Sequence, residues 1–211
     1  MLTLTTRSNW CRKSINARLQ LSGHLERCAM HNSTGPSKLS QFHQTAVLRN
    51  GTPIVIRAIR PDDISKVIAG FRHLNPESVY SRFFSAKKEL SQRELDDLRT
   101  TNFVDAVVLV AAIQSQDEEH LIGGASYHVH TSGDDKKIAE VAFTIEEKYQ
   151  GQGLSRQLLA ILIELARSQG IRQFEAEVLS GNTSMLKVFE HSGLPISKRR
   201  EDQSVYVVLD L

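Results

Sequence analysis

Apolar residues along this chain change their spacing several times, and each change marks an element. Over residues 52–60, "TPIVIRAIR", they alternate with polar ones around Ile54, Ile56 and Ala58, the period of a half-buried strand. In "PDDISKVIAGFRHLN" (61–75) Ile64, Val67, Ile68 and Phe71 share one helical face behind a Pro and two Asp that suit a helix start. "PESVYSRFF" (76–84) and "SQRELDDLRT" (91–100) predict two short helices, the second opened by a Ser91/Glu94 capping box. Residues 105–113 form a near-continuous apolar run, hence a central strand. Residues 120–130 predict its hairpin partner after a turn at 117–119, and 137–145 the next strand after a turn at 132–135. Leu154, Leu158, Ile161, Leu162 and Leu165 then recur at helical spacing until Gly170 closes the helix. A strand at 173–179, an Asn-capped helix at 182–193 and a strand at 204–211 follow. Hairpin-linked strands followed by strand–helix–strand predict a mixed α/β fold.

Composition adds an asymmetry. Residues 1–44 carry six basic residues against the single acid Glu26, whereas 45–211 hold 20 basic and 23 acidic residues. The body is therefore not a basic nucleic-acid binder by charge balance, and no run of 18 apolar residues predicts a membrane span. We expect a basic, disordered extension over 1–44, with Met30 as an alternative start, and one domain over 45–211. "NSTGPSK" (32–38) reads as the linker between them. The Arg- and Ser-rich, acid-poor extension also has the composition of an organellar transit peptide, but it lacks the apolar core of a secretory signal. A cytoplasmic protein is the main expectation. Both cysteines, Cys11 and Cys28, lie in the extension, so the body has neither a disulfide framework nor a cysteine zinc site.

The chemistry concentrates in "EVAFTIEEKYQGQGLSRQLLAIL" (140–162), where a strand runs into two spaced glycines and then a helix. A P-loop would end in Gly-Lys-Ser/Thr, and this turn has Gly153-Leu154-Ser155. A dinucleotide fingerprint would place a third glycine where Arg156 stands, too bulky for close helix–strand packing. The remaining reading is a pyrophosphate seat made of backbone. The glycines permit close approach, and the first helical amides and the helix dipole supply positive potential.

"YQGQGLSRQLL" resembles the pyrophosphate signature of the GNAT acetyltransferase superfamily, Gln/Arg-x-x-Gly-x-Gly/Ala. Gln150 and Gly153 match it, and Ser155 stands at the last position. "NTSMLKVFEHSGL" (182–194) resembles the superfamily's second signature, in which Asn182 caps a helix beside the cofactor arm. "LRNGTPIVIRAIRPDD", "LNPESVYSRFF" and "AEVAFTIEEKYQGQGLS" resemble the catalytic domain of bacterial Pat-type protein lysine acetyltransferases, which modify acyl-CoA synthetases. In some of these the domain is fused to a ligase-like or cyclic-nucleotide-binding domain, neither of which fits within 211 residues.

The resemblance implies a GNAT fold, with a mostly antiparallel sheet splayed at the cofactor arm. It implies acetyl-CoA as co-substrate, held by Phe143, Thr144, Ile145, Gln150, Gly151, Gln152, Gly153, Leu154, Ser155 and Asn182, and no metal. It makes Glu140 the general base for an amine, most simply a protein lysine, with a small-molecule amine or a non-catalytic acyl-CoA sensor as alternatives. Glu146 and Glu147 are expected as solvated loop charges. Phe189 occupies the position of the tyrosine that protonates the leaving thiolate in many superfamily members, and cannot donate. His128 and His130, two apart on a strand, share a face but have no third ligand nearby, so a half-exposed sheet face is expected there rather than a metal. "KRRED" (198–202) reads as a solvated hairpin turn, and "VYSRFF" (79–84) as a helix beside the acceptor cleft.

Overall fold

The structure, a computed structural model, describes residues 38–115, 118–131 and 137–211. The extension up to residue 37, with its linker and both cysteines, and the turn at 132–135 lie outside the described residues. Among these described residues eight strands form one sheet: β1 (His43–Val47), β2 (Pro53–Ala58), β3 (Ala106–Ser115), β4 (Glu118–Thr131), β5 (Lys137–Ile145), β6 (Gln173–Leu179), β7 (Ile196–Glu201) and β8 (Ser204–Asp210). Their order is β1-β2-β3-β4-β5-β6-β8-β7, and every pairing is antiparallel except β5 with β6. The boundary expected at residue 45 falls inside β1, so the body begins before it. β1 and β7 occupy the two edges. "KRRED" is mostly strand β7, and the turn is confined to Asp202 and Gln203.

Among the described residues five helices cover the faces: α1 (Ile64–His73), α2 (Pro76–Phe83), α3 (Gln92–Arg99), α4 (Leu154–Ser168) and α5 (Thr183–Glu190). Strand alternation sorts the side chains between them. Leu109, Ala125, Tyr127, Val141, Phe174 and Leu209 lie on one face, in a continuous buried core with Leu154, Leu158 and Leu162 of α4. Phe189 of α5 joins that core edge-to-face on Phe143, centroids 6.0 Å apart. The opposite face carries Arg57, Val110, Ser126, His128, Glu140, Ala142 and Glu175, with α1, α2 and α3 over its first half.

A buried ion pair fixes the start of α1. Arg57 on β2 is 3% exposed and Asp63 1%. The guanidinium contacts both Asp63 oxygens at 2.6 and 2.7 Å, both Glu119 oxygens at 3.0 and 2.6 Å, and the Ala58 carbonyl at 3.1 Å. All five Arg N–H groups are thereby used.

Candidate active site

β5 and β6 pair only over Ile138–Gln173, Ala139–Phe174 and Glu140–Glu175, although β5 runs on to Ile145 and β6 to Leu179. Beyond Glu140 the two strands part, leaving a notch in the middle of the sheet. The alternation of antiparallel bonding identifies which groups face it. The Glu146 amide bonds the Ile122 carbonyl of β4 at 3.0 Å, so the even positions of β5 turn their main chain to β4. The Lys137 carbonyl instead accepts from Arg172, on the β6 side. Val141, Phe143 and Ile145 therefore direct their main chain into the notch. Across it, the Ser180 amide bonds Gln203 beside β8, so the odd positions Glu177 and Leu179 face the notch from β6. Apart from the Ile145 carbonyl, which accepts from the Gln150 side chain, and the Leu179 carbonyl, which accepts from the Asn182 amide, these strand edges lack a sheet partner, which is costly unless an extended polar ligand joins them.

This corrects one expected contact. Thr144 is paired with Gly124 and turns its main chain to β4, so it offers the notch no backbone group. Its side chain lies on the α1–α3 face. Val141 instead turns its carbonyl to the notch, its amide being spent on the Glu175 carbonyl in the last rung of the β5–β6 ladder.

At the mouth of the notch, Gly151 (φ +70°) and Gly153 (φ +87°) adopt left-handed backbone, which any Cβ would strain. Gly153 caps α4 with no side chain on the helix amides, and the first intrahelical donor is Gln157, bonded to the Gly153 carbonyl at 3.2 Å. The amides of Leu154, Ser155 and Arg156 precede it and point out of the helix end, with the dipole behind them. Leu154 contributes only its amide, because its side chain is core. Ser155 is half-buried and small, compatible with an anion close by.

Neighbouring elements clamp this loop. The Gln150 side chain donates to the Ile145 carbonyl at 3.0 Å and to Ser78 Oγ at 3.2 Å, and so closes the loop. The Gln152 carbonyl accepts the Arg49 amide at 3.1 Å, and Arg49 Nη1 donates to the Gly151 carbonyl at 3.3 Å. Arg49 comes from the β1–β2 turn and brings a cation beside the seat. Nothing in the glycine motif points to it. Glu147 is more than a loop charge at the surface: its Oε1 accepts the Asn75 amide at 3.1 Å and ties the start of α2 to the loop. Asn182 caps α5 by accepting the Met185 amide at 3.1 Å.

Glu140 sits where the strands part, half-buried, opposite His128 on β4 and Glu175 on β6. The charge of Arg82, from α2, interacts with it. Burial and that same Arg82 charge push His128 down to about 4, so it is neutral at physiological pH. Burial, a hydrogen bond to Glu175 and the Glu140 charge all push the Tyr206 hydroxyl up. His130 Nε2 lies 3.4 Å from Glu175, with the two side chains 36% and 18% exposed, so the cluster borders solvent. Among the described residues no group of three or more His, Cys, Asp or Glu is placed to hold a metal ion, and no helix is long and apolar enough to cross a membrane.

Comparison with known proteins places this geometry. The profile of the Acetyltransferase (GNAT) family matches residues 75–194. Acetyltransferase Pat of Mycolicibacterium smegmatis is 30% identical over 148 residues, 69% of this chain but 42% of that protein. Acetyltransferase PA5475 of Pseudomonas aeruginosa is 28% identical over 185 residues, 85% of this chain and 97% of that one. The crystal structure of the GNAT domain of S. lividans PAT superposes with a TM-score of 0.71 at 32% identity, covering 80% of this chain and 97% of that domain. The chain belongs to the acetyltransferase (GNAT) family of acetyl-CoA-dependent N-acetyltransferases.

Proposed function

We propose that this chain transfers the acetyl group of acetyl-CoA to the ε-amine of a protein lysine by direct attack, with Glu140 as the base. The observation that carries the reading is the parting of β5 and β6 immediately after Glu140. It brings unpaired main-chain groups and a carboxylate to one vertex. The CoA diphosphate would lie on the amides around residues 151–156 with Arg49 alongside. The pantetheine amides would join the Val141 carbonyl, the Phe143 main chain and the Ile145 amide, bringing the thioester toward Glu140.

A lysine amine is neutral in only about one molecule in 2,500 at pH 7, which costs roughly 4–5 kcal/mol. A carboxylate at the vertex recovers part of that by taking the proton as the N–C bond forms. The Phe143 amide would hold the developing oxyanion. The C–S bond then breaks, and a thiolate with pKa near 8.5 takes its proton from water. Phe189 supplies none, being 1% exposed and packed on Phe143.

Glu140, Glu175 and Glu177 lie on one sheet face bordering solvent. Such an acidic, open rim suits a cationic side chain on a protein surface better than a closed pocket would. The Pat-like sequence supports the same acceptor class, the lysine of an acyl-CoA synthetase. The test is Glu140→Gln. Thiol release with such a protein should fall about 10²–10⁴-fold, while the acetyl-CoA Kd stays within twofold. Turnover retained within tenfold, or no lysine acetylation by mass spectrometry of a lysate given labelled acetyl-CoA, would defeat the proposal.

A further inference from the structure

A cavity of about 180 Å³ lies between α1–α3 and the sheet, on the same face as Glu140. Its walls include Val67, Phe71, Phe83, Leu98 and Val110, and its floor includes Gly123, Gly124, Ala142 and Thr144. Charged side chains enter its lining at Lys66, Arg82 and Glu146. Two features join it to the vertex. Ala142 and Thr144 flank Phe143, whose amide faces the notch, and Ala142 follows Glu140 on this face about 7 Å along the strand. Arg82 both lines the cavity and interacts with the Glu140 charge. Floor space is kept open by small residues. A Cβ on Gly124 would meet the Leu109 carbonyl at 2.5 Å, so that floor position admits no side chain.

We infer that this cavity receives the acyl tail of the donor, and that the protein binds and transfers linear acyl groups longer than acetyl. The inference rests on the acyl-transfer reading above and extends its donor class. An apolar cavity of about 150 Å³ holds benzene, so the space matches an acyl chain of about four to six carbons. Bond changes are the same as for acetyl: the amine nitrogen bonds the thioester carbon, the C–S bond breaks, and the proton lost by the amine passes to Glu140.

Titration calorimetry with CoA, acetyl-CoA, butyryl-CoA and hexanoyl-CoA tests this directly. Each methylene buried is worth about a factor of four, so butyryl-CoA, with two more, should bind about fifteenfold more tightly than acetyl-CoA. Val67→Phe, and independently Leu98→Phe, should each fill the cavity and erase that gain while leaving acetyl-CoA affinity within twofold. Equal or weaker binding of butyryl-CoA, or a gain that survives both substitutions, overturns the inference while leaving acetyl transfer standing. Loss of binding to every CoA ester in the wild type would overturn both. Release of CoA from butyryl-CoA in the presence of a lysine acceptor completes the support, and its absence under conditions where acetyl-CoA turns over counts against transfer.

Discussion

Asp63→Asn isolates the contribution of the buried ion pair that anchors α1. The substitution keeps size and shape but removes the charge, and it turns one of two acceptor oxygens into a donor facing the Arg57 guanidinium. Asp63 also accepts the Arg60 amide at 2.8 Å, so the change reaches the β2–α1 turn. Arg57 would keep Glu119, whose side chain is 25% exposed, and the Ala58 carbonyl. Breaking one side of a buried pair costs about 3–5 kcal/mol, against a total stability of roughly 5–15 kcal/mol. For a domain of this size each kcal/mol is about 2–4 °C, so Tm should fall by roughly 6–20 °C.

The pH dependence should change as well. Burial pushes the Asp63 carboxyl up, but its bonds to Arg57 and the Arg60 amide prevail and hold it below its usual range. Arg57 and Lys66 hold Glu119 down to about 2. With both pKa values depressed in the folded state, the contribution is complete at neutral pH and is lost as pH falls from about 4.5 toward 2. Asp63→Asn should therefore flatten the acid limb of a Tm-against-pH curve. Scanning fluorimetry from pH 3 to 8, with exposed Asp96→Asn as control, measures both effects. A loss no larger than the control's, or an unchanged acid slope, would refute the account of Arg57 as a charge held by its partners.

Two further outcomes follow from the site. Phe189→Tyr should cost about 1–3 kcal/mol by burying a hydroxyl with no partner and should not speed turnover; a stable, faster variant would mean that the ring reaches the thioester. His128 is held neutral down to about 4, so its effect on stability should set in only as pH drops below its ordinary value near 6.5. His128→Gln should flatten the Tm curve between pH 6.5 and 4 and leave the rate profile from pH 6.5 to 8 unchanged, which rate and melting curves on one set of samples would check.

The sequence by itself determined the elements with strong periodicity and the glycine turn at the start of α4. The alternation at 52–60, the apolar run at 105–113 and the leucine spacing after Gly153 each appear as the strand or helix they predict, because one buried face imposes its period on the residues. The glycine turn was legible because a left-handed backbone at a helix start restricts residue type. β1 and β7 escaped the pattern for the opposite reason. "HQTAV" and "ISKRRE" are edge strands whose side chains are mostly exposed, so no buried face writes a period into them.

What the tertiary structure alone decided is which distant groups meet and which way the backbone points. Arg49 arrives from another turn, Glu147 is drawn to α2, and Glu175 joins Glu140 through a parallel pairing separated by a whole helix. The direction of an amide depends on strand register, so the exchange of Thr144 for Val141 in the notch could not be read from residue identity. Register is fixed by pairing across strands, and pairing is a property of the assembled sheet.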